Sequence, residues 1–227
     1  KERTQQIAFN RDGIDTTVTI MFQATTFDFS NYNIPFFVTG YYRPNTTAGL
    51  ASLMKEVKGN LRTATYIERF RSKSARHKDY IRYAATVDSI FRRVQRTCLD
   101  TVMLWFSIAA KPDEYLEIAL TGYADPNPIT GNYIERERIS YSDTTGAQHT
   151  LRYGDAFNNE SLSGARAHYS VSILRRLLER SPQFRALVKQ GRIIIKPVAG
   201  GASNTSATDR AAQRRIRIEF TKRSKST

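Results

Sequence analysis

The chain has 227 residues, of which 35 are Lys or Arg and 21 are Asp or Glu, so its formal net charge is +14. Hydrophobic residues make up 40 %, including 12 Phe and 12 Tyr, which is enough for the packed core of one large domain. A single cysteine excludes an intrachain disulfide and a cysteine-based metal cluster. The positive charge predicts attraction to polyanions, a class that covers nucleic acid, anionic lipid and an acidic wall polymer.

The first half of the chain has the pattern of one strand followed by two helices. Residues 15–29 alternate between apolar and polar side chains as a strand does, and residues 46–61 have apolar side chains at helical spacing. Residues 62–79 are polar and basic and predict a solvated connection. A long second helix is predicted over 79–109, with Cys98 on its buried side as a structural thiol.

The second half alternates short strands with one amphipathic helix. In chain order we predict a strand over 116–121, an inserted hairpin within 126–158, a helix over 161–180, a strand over 192–197, a flexible loop over 200–206 and a strand over 215–220. In the last strand, Ile216, Ile218 and Phe220 point inward. We expect the tail, residues 222–227, to be disordered.

Membrane insertion is not predicted from this sequence. The longest apolar run, residues 102–110, is too short to cross a bilayer, which takes about 20 residues. The chain starts at Lys1 without Met or a signal peptide, so we expect a targeting segment upstream of it.

One arginine lies in the apolar face of the third predicted helix. At about 100° per residue, Leu162, Tyr169 and Ile173 all fall within about 60° of Arg166. A buried charge without a partner is too costly to keep. The guanidinium of Arg166 therefore extends to solvent, pairs internally or binds an anionic ligand at the helix start.

Histidines and carboxylates give no catalytic or metal-binding pattern. His77, His149 and His168 are far apart and lack the spacing of metal ligands. His168 lies about 160° around the helix from Arg166, on the solvent side, and Asp125 has no neighbouring acid in sequence. We therefore expect no enzymatic activity, no metal site and no cofactor.

Four segments in chain order share a family pattern. They are Leu116-Glu-Ile-Ala-Leu-Thr-Gly-Tyr-Ala-Asp125, Asn159-x-x-Leu162-Ser163-x-x-Arg166-Ala167, Arg192-Ile-Ile-Ile195 and Gln213-Arg-Arg-Ile-Arg-Ile-Glu219. Together they resemble the OmpA C-terminal-like domain, a family that includes peptidoglycan-associated lipoproteins and flagellar stator subunits. The resemblance is strongest over residues 115–221 and weaker over 25–62.

The resemblance implies an α/β fold, an α+β sandwich with a βαβαβ core and helices on one face of a mixed sheet. The domain then covers residues 25–221, preceded by an extension with a strand over 1–24. The N-terminal part adds a strand and a long helix to the family core. An insertion over about 128–156 separates the first two motif segments more widely than in the family, and it flanks, covers or replaces the ligand pocket.

The resemblance also implies a site for the diaminopimelate side chain of peptidoglycan. Carried over by motif position, Asp125 takes the ligand's ammonium, Arg166 takes its carboxylate and Asn159 fixes the loop or the ligand. Further carried-over positions are Asn127, Arg214 and Arg215. Independently of the family, recognition of a zwitterion needs an acid beside a planar cation, and a helix start adds a positive dipole end.

Each of these residues also has a structural interpretation. Asp125 precedes a proline and suits a turn, or it pairs directly with Arg166. Asn159 suits the first turn of the helix. Arg214 and Arg215 belong to a basic run whose alternation with isoleucine is typical of a sheet with one solvated face.

The functional expectation is a periplasmic, outer-membrane-associated protein that anchors an envelope complex to the wall, with peptidoglycan and envelope proteins as partners. A homodimer is compatible with the sequence. One alternative is a degenerate OmpA-like module used for protein assembly, with residues 69–82 as a charged face. The other is a basic nucleic-acid binder, which only the net charge favours, and we expect no nucleic-acid partner.

Overall fold

The computed structural model describes residues 5–11, 14–20, 26–28, 36–58, 74–108, 110–202 and 213–224. The elements are β1 Gln5–Arg11, β2 Ile14–Ile20, β3 Thr26–Asp28, α1 Thr47–Lys58, α2 Ser74–Ile108, β4 Glu114–Ala124, β5 Ile139–Asp143, β6 Gln148–Leu151, α3 Asn159–Leu178, α4 Pro182–Lys189, β7 Ile193–Ala202 and β8 Ile216–Ser224. Among these helices, none has the length and apolarity needed to cross a membrane.

The main sheet has six strands in the order β3-β8-β4-β7-β5-β6. The pairs β4–β7 and β5–β7 are parallel, whereas β3–β8, β4–β8 and β5–β6 are antiparallel. β1 and β2 form a separate antiparallel pair. The molecule is thus a mixed α/β structure of the α+β sandwich type, which confirms the fold class expected from the sequence.

The core lies between one face of the sheet and the helices α2 and α3. Leu116, Ile118 and Leu120 of β4 point into it because successive strand residues point to opposite faces. Cys98 of α2 is buried in the same core, as predicted, and burial raises the pKa of its thiol because the thiolate is disfavoured there. The other face has paired charges, including Lys196 with Glu117 at 2.9 Å.

Two glycines let α3 approach the sheet closely. A Cβ on Gly122 of β4 would lie 2.2 Å from the carbonyl oxygen of Ser163, and one on Gly164 would lie 2.6 Å from the ring of Tyr141. Neither glycine could hold a larger side chain without moving the helix backbone or the ring. This close packing places the middle of α3, including Arg166, directly over β4.

Most predicted elements are confirmed, with changes at their ends. The second helix begins at Ser74, five residues before its predicted start, and the inserted hairpin is the pair β5–β6, which extends the sheet beside β7. Two expectations are wrong. Residues 200–202 belong to β7 and 222–224 to β8, because sheet pairing extends each strand beyond its apolar run.

The extension over residues 1–24 contains two strands, β1 and β2, where one strand was expected, and the short helix α4 was not expected from the sequence. The predictions for residues 62–73, 203–206 and 225–227 lie outside the described residues.

Candidate ligand-binding site

The six predicted site residues converge at one end of the sheet. Asp125 and Asn127 follow the carboxyl end of β4, and Asn159 and Arg166 lie in the first half of α3. Two arginines at positions 214 and 215 immediately precede β8. Three segments that are distant in sequence therefore meet in one place, because β4 is paired with β8 and packed under α3.

Asp125 is both a turn residue and one half of a buried ion pair. It is 7 % exposed, and its Oδ1 accepts a hydrogen bond from the backbone N–H of Asn127 at 3.1 Å. Its Oδ2 accepts from Nη1 of Arg214 at 3.2 Å, in an ion pair that is almost wholly excluded from solvent. The described ion-pair partner of Asp125 is thus Arg214.

Asn159 connects the start of α3 to the Asp125 turn. Its Nδ2 donates to the carbonyl oxygens of Asp125 at 3.1 Å and Asn127 at 3.0 Å. Because both neighbours are acceptors, the amide orientation is determined, and its Oδ1 is buried with no hydrogen-bond partner among the described residues. The helix cap is Asn158, whose side chain accepts two backbone N–H groups of the first turn. Asn159 therefore fixes the loop.

Arg166 is completely buried, and its described hydrogen bonds go to backbone carbonyls. Nε donates to the carbonyl of Tyr41 at 3.0 Å, Nη1 to that of Tyr123 at 2.8 Å and Nη2 to that of Val38 at 3.3 Å. The guanidinium carbon also lies 4.8 Å from the centre of the Phe37 ring. Of the three interpretations open from the sequence, the structure shows internal pairing.

Two of these carbonyls belong to residues 36–43, which we call the cover segment. Its aromatic side chains at positions 36, 37, 41 and 42 are buried, and Gly40 turns the chain with a φ of 69°. Arg214 donates from Nε to the carbonyl of Phe37 at 3.2 Å. Two of the three arginines that the resemblance assigns to ligand binding, Arg166 and Arg214, therefore hold the backbone of the cover segment.

The insertion holds the other end of the cover segment. Glu135 accepts a hydrogen bond from the hydroxyl of Tyr42 at 2.5 Å and pairs with Arg43 at 3.2 Å. The guanidinium of Arg43 also lies 4.4 Å from the centre of the Tyr169 ring of α3. The insertion thus secures the cover segment, in addition to extending the sheet.

The expectation that Arg215 lies on the solvated face of the sheet is wrong. It is 5 % exposed, and its guanidinium lies 4.5 Å from the centre of the Tyr123 ring. Its carbonyl accepts the backbone N–H of Tyr123 at 3.0 Å. Arg215 precedes β8 and is covered by the neighbouring strand, so strand alternation does not apply to it. Arg217, inside β8, pairs with Glu219 and fits the predicted half-solvated face.

A cavity of about 340 Å³ lies apart from this cluster, between α1, α2 and α3. Its described lining includes Arg43, Asp88, Arg176 and Arg180 and none of the six predicted residues. The predicted cluster is therefore a closed, internally satisfied arrangement, and a ligand reaches Arg166 only after the cover segment moves.

Two groups of residues with possible functional roles were not predicted from the sequence. The first is the cover segment, for which the paired aromatics on either side of Gly40 were the available signal. The second is the group Asp143, His149 and Glu160, whose ligand atoms lie within 4.8 Å of one another. Their sequence spacing gives no metal motif because they come together through the β5–β6 hairpin and the start of α3.

Neither the models of known protein families nor the curated proteins give a match to this chain. What the structure defines is therefore the class: an α+β sandwich with a buried ionic cluster at one end of its sheet.

Proposed function

We propose that this chain is an OmpA-like module that binds peptidoglycan non-covalently through the diaminopimelate of the stem peptide. It would anchor an envelope protein or complex to the wall, in the periplasm and in association with the outer membrane. The convergence of Asp125, Asn159, Arg166 and Arg214 from three segments is the observation that carries this proposal. A zwitterion requires such a set of opposite charges and hydrogen-bonding groups.

In the proposed complex, groups of the ligand replace two of the backbone carbonyls that now accept hydrogen bonds from Arg166. The ligand's carboxylate takes the positions that the carbonyls of Val38 and Tyr41 occupy on Arg166, and its ammonium faces Asp125 and the unpaired Oδ1 of Asn159. A hydrogen bond from a guanidinium contributes about 1.5–3 kcal/mol, and a carboxylate acceptor adds to this the attraction of a full opposite charge, which a neutral carbonyl lacks. This difference favours the exchange, although moving the cover segment opposes it.

The affinity of one such domain is modest, and retention on the wall comes from many domains on one polymer. The net charge of +14 supports the same assignment, since it favours association with an anionic polymer.

A degenerate OmpA-like module that serves protein assembly is the second candidate. The observation that favours it is the burial of Arg166, which is 0 % exposed and already bonded to three carbonyls. In this case the ionic cluster only holds the cover segment in place, and no ligand enters.

The test is co-sedimentation with purified wall of the diaminopimelate type, compared with wall of the lysine type. Lysine lacks the second carboxylate of diaminopimelate, so it gives Arg166 no partner. We expect the protein to sediment with the first wall at least about tenfold more tightly, because only diaminopimelate has a carboxylate for Arg166. We expect Asp125→Asn to weaken binding to that wall by about tenfold, because it removes the charge that faces the ammonium.

Asp113→Asn is the matched control. It makes the same change at an exposed residue just before β4, at the opposite end of the strand, and should sediment like the wild type. Equal binding of both walls, or an Asp125→Asn variant that binds like wild type, would contradict the pocket. A folded protein that binds neither wall supports the assembly module.

A further inference from the structure

The hairpin β5–β6 and the start of α3 bring three metal-ligating side chains together. Asp143 ends β5, His149 lies in β6 and Glu160 lies in the first turn of α3. Nε2 of His149 is 3.0 Å from Oδ2 of Asp143, and one ligand atom from each of the three residues lies within 4.8 Å of the others. This group lies outside the six predicted site residues.

The aspartate is oriented for coordination through one oxygen. Its Oδ1 accepts the backbone N–H of Thr145 at 2.8 Å, the hydroxyl of Thr145 at 2.6 Å and the backbone N–H of Ala147 at 3.0 Å. These bonds direct Oδ2 toward His149. Such outer bonds are what orient metal ligands in proteins.

The histidine is oriented by the strand opposite. Tyr141 is its cross-strand partner, and the two rings stack with centroids 5.4 Å apart and planes 18° apart. The stacking leaves Nε2 facing Asp143. Asp143 and His149 could also form a purely structural hydrogen-bonded pair. Such a pair does not account for a third metal-ligating side chain, that of Glu160, next to it.

Glu160 is that third residue. It is exposed, and its carboxylate makes no hydrogen bond or ion pair among the described residues. Its position in the first helical turn suits an acidic residue, yet its carboxyl group lies within 4.8 Å of that of Asp143, so two groups of like charge type face each other. A divalent cation between them converts this repulsion into attraction.

We propose that Asp143, His149 and Glu160 bind a zinc ion. Zinc takes His nitrogen and carboxylate oxygen at about 2.0–2.2 Å, which places neighbouring ligand atoms about 3.3 Å apart in a tetrahedron. Nε2 of His149 and Oδ2 of Asp143, 3.0 Å apart, are already near this separation. Rotation of the exposed Glu160 side chain brings its carboxylate to the same separation from them. Water completes the fourth position. The imidazole ligand disfavours magnesium and calcium, which prefer all-oxygen sites.

The bound ion would connect the inserted hairpin to the start of α3. Glu160 directly follows Asn159, which holds the Asp125 turn. The site does not depend on peptidoglycan binding, since none of its ligands belongs to the proposed pocket.

Calorimetric titration with zinc chloride tests the proposal. We expect one zinc per wild-type chain, at least about tenfold weaker binding by Glu160→Gln, and no measurable binding by His149→Gln. Magnesium chloride should give no heat of binding. Zinc at a concentration near the wild-type Kd should also raise the melting temperature of the wild type more than that of Glu160→Gln, whose circular dichroism without zinc should equal that of the wild type.

Glu137→Gln is the matched control, because Glu137 pairs with His168 at 3.5 Å in a second Glu–His pair on the surface. It should bind zinc like the wild type. The proposal is overturned if the wild type binds no zinc, if Glu160→Gln binds as tightly as the wild type, or if Glu137→Gln loses as much affinity.

Discussion

Arg166 is a charged residue that serves as a core residue. Its aliphatic stem continues the apolar face of α3, and its guanidinium donates hydrogen bonds to the backbone carbonyls of three residues in two other segments. The carbonyls of Tyr41 and Val38 lie 125 and 128 residues away in the chain. One side chain therefore connects the cover segment, β4 and α3.

Replacing this arginine by methionine should destabilise the protein strongly. Arg166→Met keeps most of the apolar volume but removes three buried hydrogen bonds from a charged donor, so we expect the free energy of unfolding to fall by at least about 3 kcal/mol. Urea denaturation measures this change.

Arg176→Met is the control for that experiment. Arg176 lies on the exposed side of the same helix, and its replacement should change stability by no more than about 0.5 kcal/mol. A similar loss in both variants would show that Arg166 does not hold the cover segment.

At the scale of elements, the ends of β4 and β8 are held by a buried carboxylate. Glu114 accepts from Nζ of Lys222 at 3.0 Å and from the backbone N–H of Lys111 at 2.9 Å. Burial acts to raise the pKa of Glu114, but the bonds from Lys111 and Lys222 outweigh it and hold the pKa below the ordinary value of 4.5.

This carboxylate predicts a pH dependence. A lowered pKa in the folded state means that the stabilisation is complete well above pH 4.5 and is lost as the pH falls through the folded pKa. We expect Glu114→Gln to cost about 1 kcal/mol at pH 7, and the difference from wild type to shrink below about pH 4.

Denaturation at several pH values measures this dependence, with Asp113→Asn, an exposed neighbour, as the control. A difference that stays constant down to pH 3 would refute the ionic role of Glu114.

At the scale of the whole molecule, the helical layer has many exposed basic residues among the side chains that the structure describes. Exposed basic residues of this layer are Arg82, Arg92, Arg93, Arg96, Arg175, Arg176, Arg180, Arg185 and Lys189. On the open face of the sheet, by contrast, Glu117 pairs with Lys196 and Arg223, and Glu219 pairs with Arg217. An anionic surface would therefore approach the helices.

Because the exposed basic residues of the helices lie away from Asp125, a variant can remove them without changing the proposed pocket. Such a variant distinguishes electrostatic attraction to the wall from recognition by the pocket. Arg92 and Arg96 lie one turn apart on the exposed side of α2, away from the ionic cluster. The double variant Arg92→Gln, Arg96→Gln should elute from a cation exchanger at lower salt than wild type. Its Asp125-dependent wall binding at about 200 mM salt should be unchanged, because exposed charges are largely screened there. Loss of wall binding in this variant would show that the protein binds the wall by electrostatic attraction and not through the pocket.

The sequence by itself determined most of the secondary structure and which face of most helices and strands is buried. Strand alternation correctly placed Ile216, Ile218 and Phe220 inward, and helical spacing correctly buried Cys98. Both follow from local periodicity, since side chains repeat every second residue in a strand and every third or fourth in a helix. The same periodicity required a partner for the charge of Arg166.

Only the tertiary structure decided which partners the charged residues have. Asp125 pairs with Arg214, which is 89 residues away, and the bonds of Arg166 reach a segment with no apolar period of its own. Arg215 is buried because a neighbouring strand covers it. Local patterns determine which face of an element is buried, whereas the partners of a buried charge depend on which distant segments the sheet order and the crossing helix bring to that face.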